Sequence, residues 1–246
     1  MQTRPWAARR PSGTVAIAAG AATLGLLGVL AALRAGESRL RDWGATSEEA
    51  VRRLPGDEQL EVPDLVTTRA ISIAAPASAV WPWLVQMGPG RAGAYTYDWI
   101  ENLWGLDMHS ADRIVEELQH VELGDAWTLG AKGPTLRLVV LDPGHAMVLA
   151  SDDGHWVWAF VLVEDATGTR LLSRNRIVSP SPSRLARAAY AGVMVPASLV
   201  MERKMLLGIQ QRAEGLARDH DEAPQGAGHG AGGARAAAGG AASSPR

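Results

Sequence analysis

Short stretches in which apolar and polar residues alternate, separated by turn sequences, occupy the middle of the chain. Alternation is typical of a half-buried strand, because successive side chains point to opposite faces of a sheet. The clusters of glycine, proline and aspartate between the stretches are typical turn sequences. The pattern predicts strands at residues 66–74, 126–129, 136–141, 146–151, 156–164 and 169–177. Because the last five follow one another with tight turns between them, they predict an antiparallel meander.

Helical sequences flank this meander. Two short helices are predicted at 78–87 and 97–104, with a further short turn of helix at 112–118. A long helix is predicted at 183–218, and a break is expected in it at Pro196, because proline lacks the N–H of the helical hydrogen bond.

An apolar stripe runs along the second part of the long helix. Its members recur at the spacing of one helical face; they are Leu199, Leu206, Ile209, Ala213 and Leu216. The order of a strand, small helices, a meander and a long C-terminal helix predicts an α+β helix-grip fold, in which a curved antiparallel sheet wraps the final helix. The space between sheet and helix is then the natural place for a cavity.

Residues 14–33 carry no charge and are long enough to cross a bilayer as one helix. The segment predicts a single-pass protein of the cell membrane. A cleaved signal peptide is the alternative, because Arg4, Arg9 and Arg10 form a basic start before the segment. Arginines flank both ends almost equally, so the positive-inside rule favours neither orientation.

The chain therefore divides into three parts. Residues 1–41 form a basic tail and the transmembrane helix, and residues 42–218 form one domain of ordinary size. Residues 219–246 are rich in glycine and alanine and have no periodic apolar face, so this tail is predicted to be disordered.

Composition narrows the function classes. Apolar residues make up 47% of the 246, enough for a real core, and the net charge of −2 argues against a nucleic-acid binder. The absence of cysteine removes disulfides, thiolate nucleophiles and cysteine-ligated metals. The six histidines have no paired-ligand spacing. We expect no metal, no cofactor and no nucleic-acid partner.

One stretch resembles a known family. The sequence ISIAAPASAVW at 71–81 is similar to the opening of START-like (SRPBCC) domains, in which a strand ends in Ala-Pro and a helix follows with Val-Trp. The segments at 43–58, 81–105, 165–177 and 201–214 resemble an actinobacterial subgroup of that superfamily, of unknown function and in part with one membrane helix in front.

The resemblance covers about residues 43–216 and implies the fold more strongly than the activity. Superfamily members bind lipids, sterols, polyketides or plant hormones in the cavity, and some are polyketide cyclases or dehydratases. The resemblance therefore implies a membrane-anchored domain that binds a hydrophobic small molecule or lipid. The alternative is a cyclase, dehydratase or hydrolase that acts on such a ligand.

The enzyme alternative depends on a polar cluster at residues 95–112. Asp98 or Glu101 with His109 could form a general acid–base pair. Asp98 and Glu101 are three residues apart and share one helical face, and such a face is more often solvent-exposed or used for capping.

A charged residue, Glu202, falls on the stripe of the long helix. A buried carboxylate must be satisfied, because unpaired buried charge is costly. Arg174 and Arg176, on an alternating strand, are the expected partners, and Arg174 is the one placed in the predicted ligand site. The pair is either an ion-pair link between sheet and helix, which we favour, or a polar contact for a ligand.

The predicted ligand site combines these features. Trp156, Trp158 and Phe160 alternate along one strand and share one face of the sheet, where they pack in the core or form an aromatic floor for a flat apolar ligand. The expected apolar lining is Trp83, Trp158, Leu206 and Ile209. The expected polar contacts are Gln86 and Tyr95, on the strength of the resemblance, with Arg174 and Glu202.

Overall fold

The structure is a computed structural model that describes residues 36–131 and 133–222. The predicted transmembrane segment at 14–33 and the predicted tail beyond residue 222 lie outside the described residues. None of the helices that the structure describes is long and apolar enough to cross a membrane.

Helices and strands follow the predicted order closely. Helix α1 is described over residues 36–41. The other helices are α2 Ser47–Val51, α3 Ala77–Val85, α4 Asp98–Leu103 and α5 Arg184–Glu222, with short 3₁₀ turns at Asp57–Gln59 and Glu116–Leu118. The strands are β1 Leu65–Ile73, β2 Ala126–Thr128, β3 Thr135–Asp142, β4 Ala146–Ser151, β5 Trp156–Asp165 and β6 Gly168–Ile177.

The strands form one antiparallel sheet in the order β1-β6-β5-β4-β3-β2. Each strand from β2 to β6 pairs with its neighbours in the chain, so the predicted meander is confirmed. β1 joins at the far side by pairing with β6, from Leu65 opposite Ile177 to Ile73 opposite Thr169. A register shift in β3, next to β4, interrupts the regular ladder, and irregularities of this kind bend a sheet.

The main core lies between the sheet, α3 and the second half of α5. Leu206, Ile209 and Ala213 of α5 are fully buried, in one cluster with Leu84 of α3 and Leu171 of β6. Burial of each leucine or isoleucine side chain contributes about 1.5–3 kcal/mol, so this face of α5 fixes the helix on the sheet. The predicted stripe and the α+β helix-grip architecture are confirmed.

The predicted break at Pro196 is wrong, because α5 runs through it without interruption. Proline removes one hydrogen bond and crowds the residue one turn earlier. That residue is Gly192, which has open space around it. On the sheet side, the Arg69 guanidinium donates to the Val195 carbonyl oxygen at 3.1 Å and to the Ser198 hydroxyl at 2.9 Å. These contacts hold the turns around the proline in place.

The second half of α5 crosses the loop before α4 at very short range. A Cβ atom at Gly208 would lie 2.7 Å from the carbonyl oxygen of Tyr95, so the crossing requires glycine. Tyr95 has a left-handed backbone, with φ of 59°. Its hydroxyl donates to the Trp83 carbonyl oxygen at 2.9 Å and accepts from Gln86 Nε2 at 3.1 Å. The buried tyrosine thus fastens the loop to α3.

Candidate ligand-binding cavity

A cavity of about 690 Å³ lies between the sheet and the first half of α5. Its larger apolar lining residues are Leu65, Trp156, Trp158, Ile177, Met194, Met201 and Met205. Its polar lining residues include Thr67, Thr96, Glu101, Asn175, Ser198 and Glu202. Asp153, His155 and Pro180 also border the cavity and are exposed, so this side lies near solvent.

Two tryptophans of β5 form one wall of the cavity. The rings of Trp156 and Trp158 are stacked, with centroids 5.6 Å apart. Their indole N–H groups donate to Asn175 Oδ1 at 2.8 Å and to Ser173 Oγ at 2.9 Å, both on neighbouring β6. Because both polar ends are satisfied by the sheet, the rings are held in a fixed orientation and present apolar surface to the cavity.

The carboxylate of Glu202 lies at the sheet side of the same cavity, and its partners differ from the predicted one. It forms a buried ion pair with Arg69 of β1 and accepts hydrogen bonds from the Ser173 hydroxyl and from Asn175 Nδ2, the latter at 3.2 Å. Burial raises the pKa of Glu202. The positive charge of Arg69 is the largest effect that opposes this rise, and the hydrogen bonds to the carboxylate oppose it further. The network links sheet to helix, as the favoured interpretation expected.

The predicted pairing of Glu202 with Arg174 or Arg176 is wrong, because both arginines donate to Asp57 instead. In the register of β1 and β6, Arg69 lies opposite Ser173 and Thr68 lies opposite Arg174. Successive residues of a strand point to opposite faces, so Arg174 points away from α5. There its guanidinium donates to Asp57 at 2.9 Å and to backbone carbonyl oxygens at the C-terminal end of α2. Arg174 therefore fixes the N-terminal segment on the outer face of the sheet.

Glu101 of α4 also lines the cavity, but it lacks the partners that Glu202 has. The residue is only 9% exposed, and its Oε2 atom has no hydrogen-bond partner among the described residues. The Thr96 hydroxyl, which lines the same cavity, is likewise buried and unpaired within the described chain. Burial raises the pKa of Glu101; the nearby Thr96 hydroxyl partly opposes this, and the Asp98 carboxylate adds to it.

The other two predicted acid–base residues lie outside the cavity lining. The Asp98 carboxylate accepts hydrogen bonds from the Ser110 N–H at 2.7 Å and from its hydroxyl at 2.6 Å, so it fastens the following loop to the start of α4. The side chain of His109 is 76% exposed and lies beside Asp107, at 3.2 Å. Of the predicted set, only Glu101 reaches the cavity.

The predicted binding residues divide into two groups. Trp158 and Glu202 line the cavity, and ligand binding by them stays a prediction. The others that were expected beside them belong to the packed core around the second half of α5 or support it; they are Trp83, Gln86, Tyr95, Leu206 and Ile209. The α5 residues that line the cavity, from Tyr190 to Met205, lie about one to four turns closer to the N-terminus of the helix than Leu206 and Ile209.

Sequence reasoning missed the helix residues that do line the cavity. Tyr190, Met194, Ser198, Met201 and Met205 recur at intervals of three and four and form a second helical stripe. Three methionines and a tyrosine at helical spacing were the available signal. The expected break at Pro196 concealed it, because it divided the stripe between two separate helices.

Apolar side chains are also exposed on the outer sides of the two helices that border the cavity. We call this set the flanking apolar surface; its members are Trp99 and Leu103 of α4, Trp104 directly after α4, and Leu185, Val193 and Val200 of α5. The Lys204 ammonium of α5 lies 5.9 Å from the ring centroid of Tyr97, the residue before α4.

No group of three or more potential metal-ligating side chains comes together within residues 36–131 and 133–222.

Neither a family model nor a curated protein matches the sequence. Solved structures with similar folds include a polyketide-cyclase-like protein of Corynebacterium glutamicum, with 15% identity over 67% of this chain and 96% of that chain and a TM-score of 0.32. Proteins of Rhodobacter sphaeroides (16% identity, 67% and 98% coverage, TM-score 0.41) and Nitrosomonas europaea (10%, 65% and 97%, TM-score 0.42) are also similar. Similarity at this level gives no function, and the subgroup stays a prediction.

Proposed function

We propose that this protein binds a hydrophobic small molecule or lipid in the cavity between its sheet and the first half of its C-terminal helix. The observation that carries the proposal is the cavity itself, about 690 Å³ with mainly apolar walls. Small-molecule sites are typically of about 300–1,000 Å³, mostly apolar, with a few placed polar groups. Protein interiors are normally close-packed. Here the large side chains around the cavity are held in fixed positions, and no atom of the described part of the chain fills the volume between them.

The lining matches an apolar, partly flat ligand. Trp156 and Trp158 offer a rigid aromatic wall, while Met194 and Met201 on the facing helix are flexible and adapt to the shape of the bound molecule. Most polar atoms near this wall are already bonded to one another, as in the network around Glu202. Such satisfied groups do not compete for the ligand, so the apolar contacts dominate its binding.

Attachment to a membrane is the second part of the proposal. The uncharged segment at 14–33 would anchor the chain, and the described residues 36–41 of helix α1 follow it closely in the sequence. The flanking apolar surface, which borders the cavity on two helices, includes two tryptophans, residues that favour the membrane–water interface. We propose that this surface rests on the bilayer, so that a lipid-like ligand can enter the cavity from it.

The enzyme alternative receives less support from the geometry. A general acid–base pair needs two groups within reach of one substrate. Glu101 lines the cavity, whereas Asp98 is committed to Ser110 and His109 lies beside Asp107. Binding is therefore the function that we propose.

Binding is tested by identifying the compound that stays bound to the protein during purification. The full chain is extracted into amphipol, and organic extracts are analysed by mass spectrometry beside those of an Ala94→Phe variant. Ala94 lies between the cavity and a small apolar void of about 50 Å³, so the larger side chain has room to occupy ligand space. Ala126→Phe, on exposed β2, is the matched control.

We expect one hydrophobic compound to be enriched with the parent chain and with the Ala126→Phe control, and to be lost from the Ala94→Phe variant. Equal recovery from all three would contradict binding in this cavity. For the anchor, alkaline washing of membranes should leave the chain in the pellet. A mature soluble chain that begins after about residue 31 would instead favour the signal peptide.

A further inference from the structure

One carboxylate that lines the cavity, that of Glu101, has a buried oxygen atom, Oε2, with no hydrogen-bond partner in the part of the chain that the structure describes. Glu101 and Glu202 both line the cavity and are both almost completely hidden from solvent. Glu202 is bonded to Arg69, Ser173 and Asn175. Among the described residues, Glu101 forms no ion pair, and its Oε2 atom accepts no hydrogen bond. The two carboxylates therefore have opposite roles: one is structural, and the other is available.

An unpaired buried carboxylate destabilises the folded state, because the group loses its hydration and gains no hydrogen bond or ion pair that compensates for the loss. Buried groups of this kind in native structures require an explanation such as a bound partner. Apolar side chains would fill the same position without that cost. The raised pKa of Glu101, which follows first from burial, agrees with a group that lacks a compensating cation.

A second unpaired polar atom lies on the same wall. Thr96 Oγ1 is buried without a hydrogen bond among the described residues, and Thr96 lines the cavity together with Glu101 and apolar Ala94. A carboxylate accepts hydrogen bonds, and a hydroxyl both donates and accepts. The two atoms form a polar spot that can satisfy a donor group on a ligand.

We infer that the cavity selects amphipathic ligands that carry a hydrogen-bond donor, a primary ammonium or a hydroxyl group, which bonds to Glu101 and Thr96 while the apolar body lies along Trp156 and Trp158. The inference rests on the proposed function and specifies its ligand class. A ligand with a carboxylate head group would place a second negative charge beside Glu101 and would be excluded.

The test compares three eight-carbon probes that differ only in the head group: octylamine, 1-octanol and octanoate. Their binding to the full chain in amphipol at pH 7.5 is followed by the change in tryptophan fluorescence. The variants are Glu101→Leu, which removes both charge and acceptor, and Glu101→Gln, which keeps an acceptor without charge. Glu117→Gln, an exposed residue outside the cavity, is the matched control.

We expect octylamine to bind at least about tenfold more tightly than octanoate, since a hydrogen bond to a charged group commonly accounts for that ratio. Glu101→Leu should make the affinities for octylamine and octanoate nearly equal, and Glu117→Gln should leave the ratio of these two affinities unchanged. Glu101→Gln should weaken octylamine and retain 1-octanol.

Three results would overturn the inference. Equal affinity for octylamine and octanoate in the parent chain would show binding without head-group selection, and the proposed function would survive. An affinity ratio that persists in Glu101→Leu would show that another group selects the head group, and the proposed function would again survive. If none of the three probes binds, both the inference and the proposed function fail. Thermal unfolding of each variant establishes that it is folded before its affinity is compared.

Discussion

Arg69 of β1 and Glu202 of α5 form a buried ion pair between residues 133 positions apart in the sequence. The same guanidinium donates hydrogen bonds to the carbonyl oxygen of Val195 and to the hydroxyl of Ser198. Ser198 also lines the cavity. One edge strand thus holds the helix beside the cavity. The ion pair therefore links the first half of α5 to the sheet at the side of the cavity.

Glu202→Gln should lower the free energy of unfolding by about 3–5 kcal/mol, because it leaves the Arg69 charge buried without its counterion. The double variant Arg69→Met/Glu202→Leu should recover most of that loss, since no charge is then buried. Urea denaturation of the three proteins measures this. A loss below about 1 kcal/mol in the single variant would mean that the pair does not hold the helix.

Gly208→Ala should destabilise the protein by about 1–3 kcal/mol, because the new Cβ would lie 2.7 Å from the carbonyl oxygen of Tyr95, which is fixed by its loop. Gly215→Ala, in the same helix, should stabilise the protein by about 0.5–1 kcal/mol through the better helix propensity of alanine, because the new Cβ would meet only the Arg218 side chain, at 3.9 Å. Thermal unfolding compares the two. Equal effects would show that the crossing at Gly208 tolerates a side chain.

Ile209→Trp tests where the cavity lies. The residue is fully buried in the main core and does not line the cavity, so the larger ring should overpack the core and lower the free energy of unfolding by about 1–3 kcal/mol. Ligand retention by the folded fraction should be unchanged, in contrast to Ala94→Phe. Loss of ligand from folded Ile209→Trp protein would return the binding site to the second half of α5.

Glu49 should contribute to stability above about pH 4.5 and lose that contribution as the pH falls toward 2. The Arg170 guanidinium donates to its carboxylate at 2.8 and 2.9 Å and lowers the pKa of Glu49 from 4.5 to about 2. An acid whose pKa is lowered by folding stabilises the folded state while it is ionised. Glu49→Gln should cost about 1–3 kcal/mol at pH 7 and reduce the slope of stability between pH 4.5 and 2.

The control for this prediction is Glu48→Gln, in the same helix but exposed. Its effect at pH 7 should stay within about 0.5 kcal/mol. Equal losses for Glu48→Gln and Glu49→Gln would show that the bond to Arg170 is not the source of the stabilisation.

The contribution of Glu101 to the pH dependence of stability should be opposite in sign to that of Glu49. Burial raises the pKa of Glu101, so the folded state binds the proton more tightly than the unfolded state does, and stability falls as the pH rises through the folded pKa. Glu101→Gln should therefore raise the free energy of unfolding of the ligand-free protein at pH 7.5 by about 1 kcal/mol, and it should flatten the decrease above pH 4.5. Denaturation between pH 4.5 and 8 measures both. A destabilised variant would indicate that a protein group satisfies the carboxylate.

The sequence by itself determined the elements and the architecture. The strands begin and end within one or two residues of their predictions, because alternation and turn chemistry are local properties of the chain. The stripe of Leu206, Ile209 and Ala213 was equally local, and it correctly identified the helix face that packs on the sheet. The cavity between sheet and helix was expected for the same architectural reason.

Only the tertiary structure decided the partners and the position of the cavity. β6 carries polar residues on both faces, so its alternation allowed either Arg174 or Ser173 and Asn175 to face α5. Pairing with β1, about 100 residues earlier, selected the second set and placed Arg69 opposite Glu202. The unfilled volume beside Trp156 depends on how far α5 stands from the sheet. That distance is set by contacts remote in sequence, and no local pattern encodes it.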